Sequence, residues 1–253
     1  MSDEVVRLKK EGHVAYVILE EKEYKNTLTI RFIQGLKWAF EEIEKDSEIK
    51  VVVVHGYDNY FCCGGTKEGL HGLYDGVMKG GGVQFTDMDF HDIMFRCRVP
   101  VIAAMQGHAL GGGLALGCFA DIVIMGEQCV YNASFMKYGF TPGMGATYII
   151  PKRFGALLGN EMLFTARNYF GTELKERGVN TIIIKKEEVI GFASDMARDI
   201  ADKPLISLIE LKKSLTSHMV EDIRITVDRE LEMHRISFKQ AEVIERIEGR
   251  YRE

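Results

Sequence analysis

The order of apolar and polar positions divides this chain into short strands and amphipathic helices. Residues 5–20 alternate about Glu11 and Gly12 and predict two short strands joined by a turn. After Asn26, the stretch TLTIRFIQGLKWAFEEIEKD carries Phe32, Ile33, Leu36, Ala39, Phe40 and Ile43 at spacings of three and four. That spacing predicts a helix with one broad apolar face, Gly35 being a tolerated exception. Residues 49–55 are rich in β-branched side chains and apolar on both faces, as an interior strand beneath helices requires. A helix is expected to begin near Thr66, whose hydroxyl can cap its free amides. Residues 73–86 hold glycines without a clean period and predict an irregular pocket wall, with a helix over 87–97. Pro100 opens another strand, and further short strands are expected over 121–125 and 130–133. Pro142 and its neighbouring glycines predict a formed loop, followed by a helix through Ile150. Helices follow over 157–165, 173–177 and 187–202, with a strand over 179–184. From Leu205 the pattern is helical almost to the end. Leu208, Leu211 and Leu215 mark one segment; Ile223, Val227, Leu231, His234 and Phe238 mark the next and set His234 on or beside an apolar face. The whole predicts an α/β core over residues 1–203 carrying a helical region over 204–253.

One stretch interrupts this regular patterning. In VPVIAAMQGHALGGGLALGCFAD, residues 99–121, an apolar strand gives way to a turn over residues 108–113, and a small apolar helix follows. Consecutive glycines cost about 1 kcal/mol each against alanine within a helix, so they mark unusual dihedrals or a very close approach. The first amides of the following helix have no partner in a preceding turn and can receive a carbonyl oxygen. A main-chain oxyanion site and a tight strand-to-helix packing turn both fit this pattern. A second transition of the same kind lies at residues 61–66, FCCGGT. If the two strands are neighbours, amides near Cys63 and Gly112 converge on one oxygen, where developing negative charge would be selectively stabilised.

Composition narrows the classes. A net charge of −5 over 253 residues gives no global electrostatic case for nucleic acid. No apolar run approaches the roughly 20 residues of a membrane span, and the N-terminal residues do not resemble a secretory signal, so a cytoplasmic protein is expected. Five cysteines, an odd number without a CxxC pair, fit isolated thiols better than disulfides or a zinc site. GxGxxG, GxxxxGK[ST] and HExxH are absent, which removes the usual signatures of nucleotide and zinc chemistry. Polar candidates near the glycine turns are Lys67, Lys79 and His108, with Lys137 near the next loop, Asp121 after the small helix, and His234 far along the chain. Each also has an ordinary use, the lysines as solvated charges, His234 as a core histidine and Asp121 as a turn carboxylate. Cys63 contributes its amide and its small size rather than a thiol nucleophile, since no base accompanies it in the sequence.

YFCCGGT, VPVIAAMQGHALGGGLALGCFADIVI, FMKYGFTPGMGAT and the C-terminal RELEMH resemble the crotonase (enoyl-CoA hydratase/isomerase) superfamily along essentially the whole chain. Within it they are most similar to the decarboxylating enoyl-CoA-hydratase-like enzymes of polyketide β-branching cassettes. The resemblance implies a spiral of repeated ββα units, a C-terminal helical subdomain, and homotrimers that in some members pair as hexamers. It also implies two peptide amides about a thioester oxygen, here those of Cys63 and Gly112. Hydratases of this family place one glutamate two residues after the GGG triplet and another near the segment leading to a PGxGG-like loop; Ala115 and Phe135 occupy those positions here. Loss of that acid–base pair beside a retained oxyanion site suits decarboxylation, in which departing carbon dioxide generates the carbanion. The β-branching decarboxylases use a lysine and a C-terminal histidine, which correspond to Lys79 and His234. The implied substrate is 3-methylglutaconyl thioester, or a close β-substituted homologue, on the phosphopantetheine of an acyl carrier protein, with no further cofactor and no metal. A decarboxylase of a free CoA thioester such as methylmalonyl-CoA, and a catalytically silent scaffold in a biosynthetic complex, are the alternatives. An acidic carrier would favour a basic rim, for which Lys67, Lys152 and Arg153 are candidates.

Overall fold

The computed structural model describes residues 5–78 and 90–250. The chain opens with β1 (Val6–Glu11) and β2 (Val14–Leu19), an antiparallel hairpin turning at Gly12, whose φ is +58°. α1 (Ile30–Lys45) begins where the Thr29 hydroxyl accepts the Phe32 amide at 3.0 Å, and its six predicted apolar residues are all buried. Three units then repeat one plan. The first is β3 (Val51–His55), β4 (Tyr60–Cys62) and α2 (Lys67–Met78). A single turn, α3 (Ile93–Arg96), leads to the second unit, β5 (Val101–Met105), β6 (His108–Leu110) and α4 (Gly112–Cys118). The third is β7 (Ile122–Gly126), β8 (Val130–Asn132) and, after a 3-10 turn at Ser134–Tyr138, α5 (Ala146–Phe154). The chain continues through α6 (Ala156–Thr165), β9 (Tyr169–Phe170), α7 (Gly171–Glu176), β10 (Ile182–Ile184) and α8 (Val189–Ala201). It finishes in α9 (Leu205–Thr216), α10 (Met219–Ser237) and α11 (Ala241–Arg250).

The first strand of each unit enters a six-stranded sheet of order β1-β2-β3-β5-β7-β10, and the second enters a four-stranded sheet of order β4-β6-β8-β9. Within a unit the chain thus steps from one sheet to the other, and successive units stack parallel, a spiral of ββα turns. Period-two alternation puts the two faces of β3 in different cores. Val52 and Val54 join the main core with α1, whereas Val51 and Val53 pack with Val189, Ala193 and Ala197 of α8. Among the described residues no helix is long and apolar enough to cross a membrane.

Four local expectations change. Residues 73–78 complete α2 rather than forming an irregular wall, and residues 79–89 lie outside the described residues. The helix expected over 87–97 is, among the described residues, the one turn of α3, because Cys97 already has extended backbone on the approach to Pro100. His108, Ala109 and Leu110 form β6 instead of belonging to the turn, since pairing with β4 supplies their backbone partners. Finally, α9 turns Leu208 and Lys212 inward and leaves Leu211 and Leu215 exposed, so its leucine spacing does not mark the buried face.

Lys212 explains that last reversal. Its buried ammonium donates to the Met94 and Val99 carbonyls, each at 3.0 Å, and pairs at 2.8 Å with Asp121, which also accepts the Val101 amide. One side chain of the C-terminal helices thereby ties down both the α3 turn and the start of β5, and Asp121 serves as the turn carboxylate. Lys212→Ala leaves Asp121 and two carbonyls without their cation and is expected to cost about 3 kcal/mol of stability. Equilibrium denaturation checks this; a loss under 1 kcal/mol would show that solvent replaces the ammonium.

Candidate active site

Two strand-to-helix turns lie side by side because β4 and β6 are parallel neighbours, with Tyr60 opposite His108 and Cys62 opposite Ala109. The first turn is held from behind by Asn26, which is fully buried with φ +55°, a left-handed conformation that asparagine tolerates. Its side chain accepts the Glu21 amide at 2.7 Å and donates to the Leu19 carbonyl at 2.9 Å and the Phe61 carbonyl at 3.0 Å. The Leu28 amide then donates to the Gly64 carbonyl at 2.8 Å. These bonds hang the FCCGG turn on the segment between β2 and α1. Thr66 caps α2 as expected, its hydroxyl accepting the Gly69 amide at 2.9 Å.

The glycines of both turns are required by close approach. Gly64 has φ +80°, and a Cβ on it would come 2.7 Å from the Leu110 carbonyl oxygen and 3.6 Å from the Gly112 nitrogen. A Cβ on Gly113 would overlap the Cys62 carbonyl, 2.6 Å from its carbon. Gly112 is the first residue of α4, so its amide has no acceptor in a preceding helical turn. Cys63 follows directly on the end of β4, and both residues line one cavity that opens to solvent. Burial pushes the Cys63 thiol up to about 11, which keeps it protonated and weakly nucleophilic.

α10 supplies another part of the cavity lining. His234 and Glu230 lie one turn apart on its inward face, both buried and both lining the cavity. The His234 Nε2 lies 2.8 Å from the Thr141 carbonyl oxygen. A carbonyl only accepts, so Nε2 carries a proton, and the neutral ring keeps its lone pair at Nδ1. Nδ1 is buried with no hydrogen-bond partner among the described residues. Burial lowers the His234 pKa below its ordinary 6.5, opposed by the Thr141 carbonyl. Phe140 and Phe238 pack their rings about the imidazole, with centroids 6.1 and 5.4 Å away.

Glu230 was not singled out by sequence, although its spacing of four from His234 on an apolar helix face was the available signal. Its carboxylate accepts the Gly145 amide at 2.7 Å, the Thr147 amide at 2.8 Å and the Thr147 hydroxyl at 2.7 Å. Glu230 therefore caps α5 from a distant helix, with burial raising its pKa against those three donors. Ala115 is fully buried in α4, and Phe135 lines the cavity beside Phe140. Most of the remaining lining is apolar, including Leu28, Leu70, Phe90, Met144 and Leu231.

Other candidates have local work. The Nδ1 of His108 accepts the Val130 amide at 3.0 Å. Lys67 pairs with Glu248 of α11 at 2.8 Å, and His71 meets the same carboxylate at 2.7 Å. Arg153 donates to the Cys118 carbonyl at 2.8 Å and to that of Ala120, which takes it out of a free basic rim. Lys152 lies over the Tyr148 ring, 5.4 Å from its centroid, and Lys137 is exposed. Lys79 lies outside the described residues.

The sequence profile of the enoyl-CoA hydratase/isomerase family matches residues 9–253. The chain belongs to this family. It is 42% identical over 252 residues to the bacillaene synthase decarboxylase PksI of Bacillus subtilis (strain 168), covering 99% of each chain. A solved structure from a dehydratase/decarboxylase enzyme couple of polyketide β-branching is 41% identical, with a TM-score of 0.93 over 98% of this chain and 99% of that one. The ECH2 decarboxylase domain of CurF from Lyngbya majuscula is 34% identical, with a TM-score of 0.91 over 98% of this chain and 100% of that domain. The spiral of ββα units is the crotonase fold, and the resemblance carried by the glycine motifs and RELEMH extends over the whole chain.

Proposed function

We propose that this crotonase-fold enzyme is a polyketide β-branching decarboxylase that converts 3-methylglutaconyl-acyl carrier protein, or a close β-substituted homologue, to the 3-methylcrotonyl thioester in the cytoplasm. The observation that carries this reading is the cavity itself. Cys63 and Gly112, on neighbouring turns, line it together with His234, and the motif resemblance matches Ala115 and Phe135 to the two hydratase carboxylates. Similarity to the bacillaene synthase decarboxylase PksI, to the dehydratase/decarboxylase couple of polyketide β-branching and to the ECH2 decarboxylase domain of CurF supports the same class.

In this reading the Cys63 and Gly112 amides hold the thioester oxygen. His234 and Lys79 engage the distal carboxylate, Lys79 on the strength of its motif. The bond between the γ carbon and the carboxylate breaks, and its electron pair passes through the conjugated chain to the thioester oxygen as carbon dioxide leaves. Donors that strengthen as this charge develops lower the barrier. Protonation at the γ carbon then gives product. No dissociable cofactor or metal is needed, because the acyl group arrives on the phosphopantetheine arm of its carrier. The protein surface meets that carrier as a homotrimer, alone or in paired trimers.

Intact-mass measurement of the carrier is expected to show loss of one carbon dioxide from the 3-methylglutaconyl thioester, with deuterium from solvent at the γ carbon. Turnover of the same acyl group should be slower on CoA than on the carrier. Efficient water addition to an enoyl thioester without decarboxylation would overturn the assignment. Inactivity toward every thioester, with stable capture of partner proteins, would mark a silent scaffold.

A further inference from the structure

The turn joining the 3-10 segment to α5 is held in an unusual conformation by α10. A Cβ on Gly143 would come 2.5 Å from Cε1 of His234, so the ring leaves no room for a side chain there. The next two residues are both left-handed, Met144 at φ 62° and Gly145 at φ 71°. Methionine rarely adopts that region, and it persists where surrounding contacts over-determine it. Those contacts come from both ends. His234 holds the Thr141 carbonyl, and Glu230 holds the Gly145 and Thr147 amides.

The constrained turn delivers the Met144 thioether to one place. A Cβ on Gly112 would come 2.5 Å from Met144 Sδ and 3.1 Å from Leu28 Cδ1. The sulfur thus packs against the residue that, in the proposed function, holds the thioester oxygen. The α carbon of a bound acyl group is bonded to that same carbonyl, so a substituent on it competes with the thioether for space.

We propose that Met144, braced by Glu230, is a specificity-determining residue that closes the cavity beside the acyl α carbon and restricts the site to thioesters without an α substituent. This rests on the reading that places the thioester oxygen at Gly112. It makes the site a poor fit for α-methylated acids while leaving the β and γ positions to the wider apolar cavity.

The test is binding of two carboxylate-free probes, crotonyl-pantetheine and its 2-methyl analogue, by calorimetric titration. Wild-type protein is expected to prefer the unbranched thioester by about tenfold or more, the scale of one methyl group in a close-packed pocket. Met144→Ala should reduce the preference to within about threefold, chiefly by tighter binding of the 2-methyl probe, while Met144→Leu, which restores bulk, should retain it. Met144→Gly suits the left-handed backbone and serves in place of the alanine variant if that one fails to fold. Equal binding of both probes by the wild type, or an unchanged preference in a folded Met144→Ala or Met144→Gly variant, overturns the proposal. Because binding needs no turnover, a wild type that fails to decarboxylate its carrier thioester but discriminates as expected refutes the function and leaves the Met144 wall standing.

Discussion

His234→Ala is expected to slow carbon dioxide release from the carrier-bound 3-methylglutaconyl thioester by about 10²- to 10⁴-fold, the range for a positioned acid–base group. The ring's hydrogen bonds decide where a second proton can enter. With Nε2 donating to Thr141, a second proton enters at Nδ1, the buried position that lacks a partner among the described residues. A protonated Nδ1 can donate to the substrate carboxylate and afterwards return that proton to the γ carbon. In the free enzyme, burial holds the His234 pKa below its ordinary 6.5, so the protonated form is lost as pH rises through that lowered value. A bound carboxylate favours the imidazolium and moves its pKa back up. Accordingly kcat/KM, which reports the free enzyme, should fall at a lower pH than kcat, which reports the complex. The alanine variant should lack both limbs. Release within threefold of wild type in a folded His234→Ala protein would remove His234 from the site; normal release with deuterium misplaced would confine it to reprotonation.

Gly113→Ala is expected to reduce kcat by about 10²- to 10³-fold, the loss found when an oxyanion donor is removed from a site of this type. Its new methyl group would occupy the space of the Cys62 carbonyl, a main-chain group that no rotamer change can clear. The end of β4 and the start of α4 must then separate, and the Cys63 and Gly112 amides with them. A decreased stability should accompany the kinetic loss. Gly191→Ala is the contrasting change, because Gly191 lies in α8 with nothing within 4 Å of its Cβ position. That substitution should leave decarboxylation unaltered and add about 0.5–1 kcal/mol of stability from helix propensity. Near-normal kcat in a folded Gly113→Ala protein would refute the paired-amide mechanism.

Much of the candidate site is legible in the sequence because close backbone approach leaves a local mark. Gly64 and Gly113 are glycines for contacts that no side chain survives, and the motifs around them are therefore visible in the chain. Ala115 and Phe135 were equally plain as departures from the hydratase pattern. Glu230 was less visible, since a lone glutamate in a charged helix is ordinarily a solvated residue. Its three donors come from residues 145 and 147, some 85 positions away, and no local pattern records them. Asn26 escaped for the same reason: it precedes a helix, as many asparagines do, yet its side chain joins the end of β2 to β4.

The strands and helices of strong period, the apolar face of α1 and both glycine turns are written in the local sequence, and its motifs carry the family. The periodic elements depend on spacing within a few residues, where backbone geometry dictates which side chains share a face, whereas the family rests on the resemblance of whole motifs. Which polar side chains the interior accepts is set by long-range packing. Lys212 is buried at the expense of Leu211 and Leu215 because Asp121 and two carbonyls meet its ammonium, and a buried charge is tolerated only where such partners converge. The same holds for Glu230 and His234. Their places are set by amides and carbonyls of residues 141–147, partners that exist only once α10 has packed against α5.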